Sequence, residues 1–240
     1  MMKIQADNLG FREINDSLRK GPGRYTVAGC LGQRFLCAGM SDISVKIEGV
    51  PGNALGAYLN GADVTVSGNA QDAVGDTMNS GRIAVHGNIG DAGGYAMRGG
   101  SIYVRGDSGY RAGIHMKAYK DKVPLIVIGG CAGSFLGEYQ AGGVIVVLGL
   151  GSGRRRTVGN FPCTGMHGGK MIIRGDCRDI KFPAQVTAAL ADKKDLAEIK
   201  KYVREYCRLF GGDAEEIMKS KFTVITPDSK NPYKQLYVAN

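Results

Sequence analysis

Three histidines, six cysteines and one run of arginines are the residues of this 240-residue chain whose types could do chemistry. His115 lies beside Lys117 in GIHMKAYKDK and is the best placed to act as a general base, yet no carboxylate stands at a readable spacing to orient its ring. His86 reads as an outward-pointing strand residue, and His167, between Gly165 and Gly168, as a turn residue. Cys30, Cys37, Cys131, Cys163, Cys177 and Cys207 show no C-x-x-C pair and no Cys/His spacing of a zinc site, so reduced structural thiols are expected. Arg154, Arg155 and Arg156 close GLGSGRRR (149–156). That stretch lacks the third glycine of a G-x-G-x-x-G turn and the lysine of a P-loop, so nucleotide binding is not expected. No aromatic residue interleaves with the arginines, which therefore read as a solvated or partner-facing loop rather than a nucleic-acid site. Catalytic, metal and cofactor sites are not expected in this chain.

The elements that must carry these residues are written as a repeat. Residues 61–113 read GADVTVSGNAQDAVG, GRIAVHGNIGDAGG and GGSIYVRGDSGYRAG, each an alternating strand closed by a glycine (Gly68, Gly87, Gly106) and followed by a glycine-rich turn. The closing glycines are 19 apart (87 − 68, 106 − 87), and the phrase extends to Gly49, Gly129, Gly149 and Gly175 at intervals of 19, 23, 20 and 26. Seven copies near a period of 20 predict a solenoid. Four turns carry G-x-x-G-x-x-x-G in full: Gly49/Gly52/Gly56, Gly87/Gly90/Gly94, Gly106/Gly109/Gly113 and Gly130/Gly133/Gly137; the turn from Gly68 keeps Gly75. Glycine is wanted where coils turn with positive φ and where stacked backbones leave no room for a Cβ. Asn69, Asn88 and Asp107 follow the closing glycines, and Asn53, Asp72 and Asp91 recur 19 apart, as stacked corners require.

Counting back from each closing glycine, positions −4 and −2 should share the inner face. They read Val45/Ile47, Val64/Val66, Ile83/Val85, Ile102/Val104, Leu125/Val127, Ile145/Val147 and Met171/Ile173, all apolar. The outer positions begin polar (Lys46/Glu48, Thr65/Ser67) and end apolar (Ile126/Ile128, Val146/Leu148). An apolar outer face must be covered, either by the chain's own end or by a partner. Phe11, Ile14 and Leu18 predict a short helix starting near Asn8 that caps the first coil; Leu196, Ile199, Val203, Tyr206 and Phe210 predict a longer one ended by Gly211-Gly212. A second helical stretch is expected near 213–220, then a strand and an extended tail, NPYKQLY (231–237). The expected layout is a cap (1–23), a single-stranded β-helix of seven to eight coils (24–177) and a helical appendage (178–240).

Net charge is +9, from 31 basic and 22 acidic residues, with no dense tail of either sign. The start MMKIQADNLG has no signal-peptide character, and the longest apolar runs are far too short to span a bilayer. A cytoplasmic protein without membrane or nucleic-acid partners is expected; the repeat also allows a homo-oligomer.

The phrases GNAQDAVGDTM (68–78), GYAMRGGSIYVRG (94–106), GYRAGIHMK (109–117) and FLGEYQAGGVIVVLGL (135–150) resemble the GXGXG domain at the C-terminal end of the glutamate synthase large subunit, above all its stand-alone archaeal-type form. The β-helical subunit of formylmethanofuran dehydrogenase is a related protein. The resemblance implies a right-handed β-helix that scaffolds a glutamine amidotransferase unit and a synthase unit. It places FMN and an iron–sulfur cluster in the partner and assigns no catalytic residue to this chain, which with Met2 is not expected to present an amino-terminal cysteine nucleophile. An alternative, a hexapeptide-type acyltransferase with His115 or His86 as base, needs coils near 18 residues and fits the 19–26 spacing poorly.

Overall fold

In every repeat the alternating phrase forms a strand, and the strands stack in chain order into one parallel sheet in the computed structural model, which describes residues 2–228. The elements run β1 (Met2–Gln5), α1 (Phe11–Leu18), β2 (Gly23–Leu31), β3 (Ile43–Val50), β4 (Asn60–Val66), β5 (Ser80–Val85), β6 (Ser101–Val104), β7 (Leu125–Ile128), β8 (Ala141–Val147) and β9 (Gly168–Arg174). After them come β10 (Val186–Leu190), α2 (Lys193–Phe210), α3 (Ala214–Met218) and β11 (Phe222–Pro227). The result is a β-solenoid of about seven turns. The parallel order β1 to β9 continues into β11 and then β10, both antiparallel to their neighbours.

Identical inner positions pair across rungs: Val45 with Val64, Val64 with Ile83, and Ile83 with Ile102. Twelve of the fourteen expected inner residues are buried in one continuous core. The fifth coil corrects the expected phase. Ile102 pairs with Ile126 and Val104 with Ile128, so these two isoleucines face inward, while Leu125 and Val127 face out. The closing glycine is therefore Gly130, whose N–H donates to the Gly106 carbonyl, and the intervals become 24 (130 − 106) and 19 (149 − 130). At the first coil the residue opposite Gly49 is Cys30, because β2 carries an extra residue between Val27 and Cys30.

Two further corrections concern the ends. Residues 2–5, unassigned from sequence, form β1, which adds a parallel strand ahead of β2. Asn8 has φ 63° and turns the chain between β1 and the helix, so α1 starts at Phe11 after Gly10, whose N–H donates to the Glu13 carboxylate at 2.6 Å. Ile14 and Leu18 are buried, and the Asn15 amide both donates to the Phe35 carbonyl (2.8 Å) and accepts from the Cys37 N–H (2.9 Å), fixing α1 over the first turn. Phe11 stays partly exposed against Phe35. The tail phrase NPYKQLY lies outside the described residues. Among the described residues, no helix is long and apolar enough to cross a membrane.

Candidate functional site

The repeat glycines divide into two kinds by what a side chain would strike. The third of each turn (Gly56, Gly75, Gly94, Gly113, Gly137) has φ between 64° and 71°, and a Cβ there would meet the end of an inner side chain: Ile83, Ile102, Ile126, Ile145 or Met171. The first and second (Gly49, Gly52, Gly68, Gly87, Gly90, Gly106, Gly109, Gly130, Gly133) pack backbone on backbone or against an Asn/Asp oxygen of the preceding turn. Those oxygens accept the N–H groups of the next turn in two ladders. Asn69, Asn88 and Asp107 accept from Asn88, Asp107 and Cys131 at 2.7–2.8 Å; Asp72 and Asp91 accept from Asp91 and Tyr110 at 2.9 and 2.7 Å. One oxygen of each of these side chains is thereby committed to holding successive turns in register.

The outer apolar face is covered by the chain itself. Helix α2 opens with Asp192, whose carboxylate caps Asp195, and stops at Gly211 with φ 84°. Its buried side, Ile199, Val203 and Tyr206, rests on Tyr103, Val127, Val146, Leu148 and Ile172, with Ile217 of α3 and Phe222 of β11 completing the layer. The expected cover over Ile126 and Ile128 is corrected to this set, for the phase reason above. Polar contacts fix the helix at both ends. Lys170 on β9 reaches Asp195 (3.0 Å) and Glu198 (2.8 Å); burial works against its charge, yet these two bonds carry its pKa above the ordinary lysine value. Toward the other end, Tyr206 donates to the Arg105 carbonyl at 2.9 Å, and Arg82 joins Asp63 on β4 to Glu205 on α2. Burial raises the Tyr103 and Tyr206 phenols to about 12.

The three histidines are separated. His86 is half-buried and meets Phe210 edge-on at 5.0 Å; burial, then Arg105 and Lys46, lower its pKa. His115 belongs to the turn itself, and its exposed ring stands between Tyr95 (6.0 Å, edge-on) and Tyr139 (5.2 Å, stacked). His167 Nδ1 lies 3.0 Å from the Gly165 carbonyl. The thiols are all free; five are buried, and burial pushes Cys30 up to about 11 and Cys37 and Cys163 to about 12. Arg155 reaches the Asp107 carboxylate at 2.5 Å, while Arg154 and Arg156 are exposed. Among the described residues, no group of three or more His, Cys, Asp and Glu side chains is placed to hold a metal ion. A cavity of about 540 Å³ opens beside the last turn, walled by Phe161, Ile180 and Phe182 with Arg156, Asp179 and Lys181 among its lining. Its one thiol, Cys177, is held toward the Gly175 carbonyl, and burial raises its pKa.

Sequence reasoning missed one assembly. Large side chains from successive turns meet on the turn edge: Tyr110 edge-on to Phe135 (5.3 Å) and Phe135 tilted against Phe161 (5.1 Å), alongside the Tyr95–His115–Tyr139 row. Arg111 joins the two rows, its guanidinium 4.8 Å from the Tyr110 ring and its Nε bonded to buried Glu138 at 2.7 Å. The signal available was spacing: Arg111/Phe135 and His115/Tyr139 are each 24 apart, the step of that coil.

A family model described as GXGXG motif matches residues 19–228. An uncharacterized protein of Methanocaldococcus jannaschii is 42% identical, over 98% of this chain and 95% of its own length. A chain in the crystal structure of the formyltransferase/hydrolase complex of Methylorubrum extorquens, solved with methylofuran, has a similar fold at TM-score 0.62 and 19% identity, over 83% of this chain and 71% of that one.

Proposed function

The chain belongs to the GXGXG motif family, and from that premise we propose that it is a scaffold subunit of a glutamate synthase, without catalytic residues of its own. In this reading it packs a glutamine amidotransferase unit against a synthase unit that carries FMN and an iron–sulfur cluster. One observation carries the proposal: one edge displays aromatic side chains already in contact with one another and, among the described residues, exposed to solvent at Tyr95, Tyr139 and Phe161. A stiff solenoid suits that role because it fixes the spacing of whatever docks along it. The phrases GYAMRGGSIYVRG and FLGEYQAGGVIVVLGL support the glutamate synthase assignment.

The fold likeness to a chain of a formyltransferase/hydrolase complex favours a second reading, a β-helix subunit of a formylmethanofuran dehydrogenase. Affinity purification of the tagged chain from its native cells, with mass spectrometry of the partners, separates the two. An amidotransferase and a flavoprotein are expected. Formylmethanofuran-converting subunits would select the second reading, and no stoichiometric partner would overturn both.

A further inference from the structure

We infer that the turn edge from Tyr95 to Phe161 is the docking surface for a partner protein that presents an apolar patch rimmed by carboxylates. The inference deepens the scaffold reading and rests on it.

Backbone bonds between turns define two rows of left-handed residues. The first opens at Phe35, which α1 covers through Phe11, runs through Ala54, Ala73 and Ala92, and continues as Arg111, Phe135 and Phe161. The non-glycine members of the second, which lies between Gly39 and Gly165, are Tyr58, Thr77, Ala96, His115 and Tyr139. All have φ between 49° and 62°. The middle turns show that alanine or threonine satisfies the fold at these places. The same strained positions then carry large side chains, Arg111, Phe135 and Phe161 in the first row and His115 and Tyr139 in the second, although a bulky residue there is unfavourable. Phe161 is 62% exposed, and Tyr95 and Tyr139 are 40% and 38% exposed. Tyr, Phe and Arg are among the residue types that interfaces concentrate. Here they are already in contact, and the Arg111–Glu138 pair holds the rows together, so binding orders little that is not ordered beforehand.

Charge specifies the partner. Arg98, Lys117, Lys120 and Lys122 are exposed and follow Tyr95 and His115 closely in the chain; Arg154 and Arg156 are exposed ahead of Phe161, with which Arg156 shares a cavity wall. Against them, Glu138 is consumed by Arg111, Asp91 accepts the Tyr110 N–H and Asp176 pairs with Arg178, which leaves Asp121 and Asp179 as the other exposed carboxylates of these segments. A basic rim around an aromatic centre fits an acidic rim around an apolar one. Single-stranded nucleic acid, the other anion that uses aromatic side chains, fits less well. His115 and Tyr139 lie 8° from parallel with centroids 5.2 Å apart, so their facing sides are occupied by each other and leave no gap for a base.

The test replaces Tyr139→Gly together with Phe161→Gly in the full chain. Glycine relieves the left-handed strain, so thermal stability should hold or rise, whereas a structural role for the rings would lower it. The probes are the purified amidotransferase and FMN-binding synthase units from the same organism, with the wild-type chain and an α2 surface variant, Lys194→Ser, as controls. Both controls should bind, the glycine variant should lose at least about tenfold per ring, and zero-length crosslinks should join Lys117, Lys120 or Lys122 to partner Asp or Glu. If all three chains bind alike, the docking surface is wrong and the scaffold reading stands. If the wild type binds neither unit, both fall. A gel shift of single-stranded RNA by the wild type that the variant loses would replace the protein partner with nucleic acid, and self-association lost in the variant would replace it with a second copy of the chain.

Discussion

The close approach of Gly94 to Ile126 allows the packing argument to be tested by subtraction. A Cβ on Gly94 would fall on the Ile126 δ-methyl, and Gly94 has φ 71°. Gly153 has a similar φ of 59° with nothing within 4 Å of the same added atom. Gly153→Ala should therefore cost only the left-handed term, about 1–2 kcal/mol. Gly94→Ala adds an overpacking term of about 1–3 kcal/mol, for a total of roughly 2–5 kcal/mol. Removing the obstructing methyl by Ile126→Val costs about 0.5–1.5 kcal/mol alone, but in the double variant it frees the space that the new methyl needs. The double variant should thus be less destabilised than the sum of the singles by about 1–2 kcal/mol. Equilibrium urea unfolding, read as a change in midpoint at constant slope, supplies all four values. Equal costs for Gly94→Ala and Gly153→Ala, or strict additivity in the cycle, would refute the claim that turn glycines are spaces filled by the core.

Other outcomes follow from the same geometry. Asp195 and Glu198 are partly buried, which would raise them, but the Lys170 bonds hold both below their ordinary values of 3.8 and 4.5. Their contribution is therefore complete above those values and lost as pH falls through the lower folded ones; Lys170→Met should flatten that acid limb in a pH series of melting temperatures. Ser108 is 6% exposed in a column with Ala70, Ile89, Ala132 and Val158, and its hydroxyl has no partner, so Ser108→Ala should stabilise by about 1 kcal/mol in urea unfolding; a loss of stability would show that the hydroxyl is satisfied. Ellman's reagent should react slowly with native protein, first at half-buried Cys207, and with all six thiols only after unfolding; rapid reaction at Cys37 or Cys163 would contradict the packed core.

The solenoid was legible because its constraint is periodic: an alternating strand closed by glycine leaves the same trace in each copy. The phase error at the fifth coil came from GlyGly at 129–130, where two glycines compete for one structural position. The turn phrase Gly130/Gly133/Gly137 held the answer, since every other full turn phrase starts at its closing glycine. Tyr206 decides the geometry instead: its hydroxyl fills the space beside Gly129 and bonds the Arg105 carbonyl, a contact 101 residues away in sequence that no local pattern encodes. Strand β10 was missed for a related reason. Its residues Thr187–Leu190 are exposed and lack alternation, and pairing with β11 alone makes them a strand. The aromatic edge escaped because its members are spread over turns that alternation does not describe.

The division of the outer surface bears on where a partner can gain energy. On the sheet, the polar strands β3 and β4 present Lys46, Glu48, Asp63 and Thr65, and the charged ones among them already pair with one another or with Arg82, while the apolar strands lie beneath α2. On the Asn/Asp corner, the side-chain oxygens are spent on the next turn's N–H groups. A partner docking on either would meet polar groups that are hydrated or already paired, where the net gain from a new contact is small. The turn edge differs, because its rings touch each other and water but close no hydrogen bond of the stack. Burying an exposed aromatic there removes apolar area from water, at about 25 cal/mol per Å², and gives up no internal contact. The solenoid therefore offers a partner the most apolar area at the edge where large side chains replace small ones.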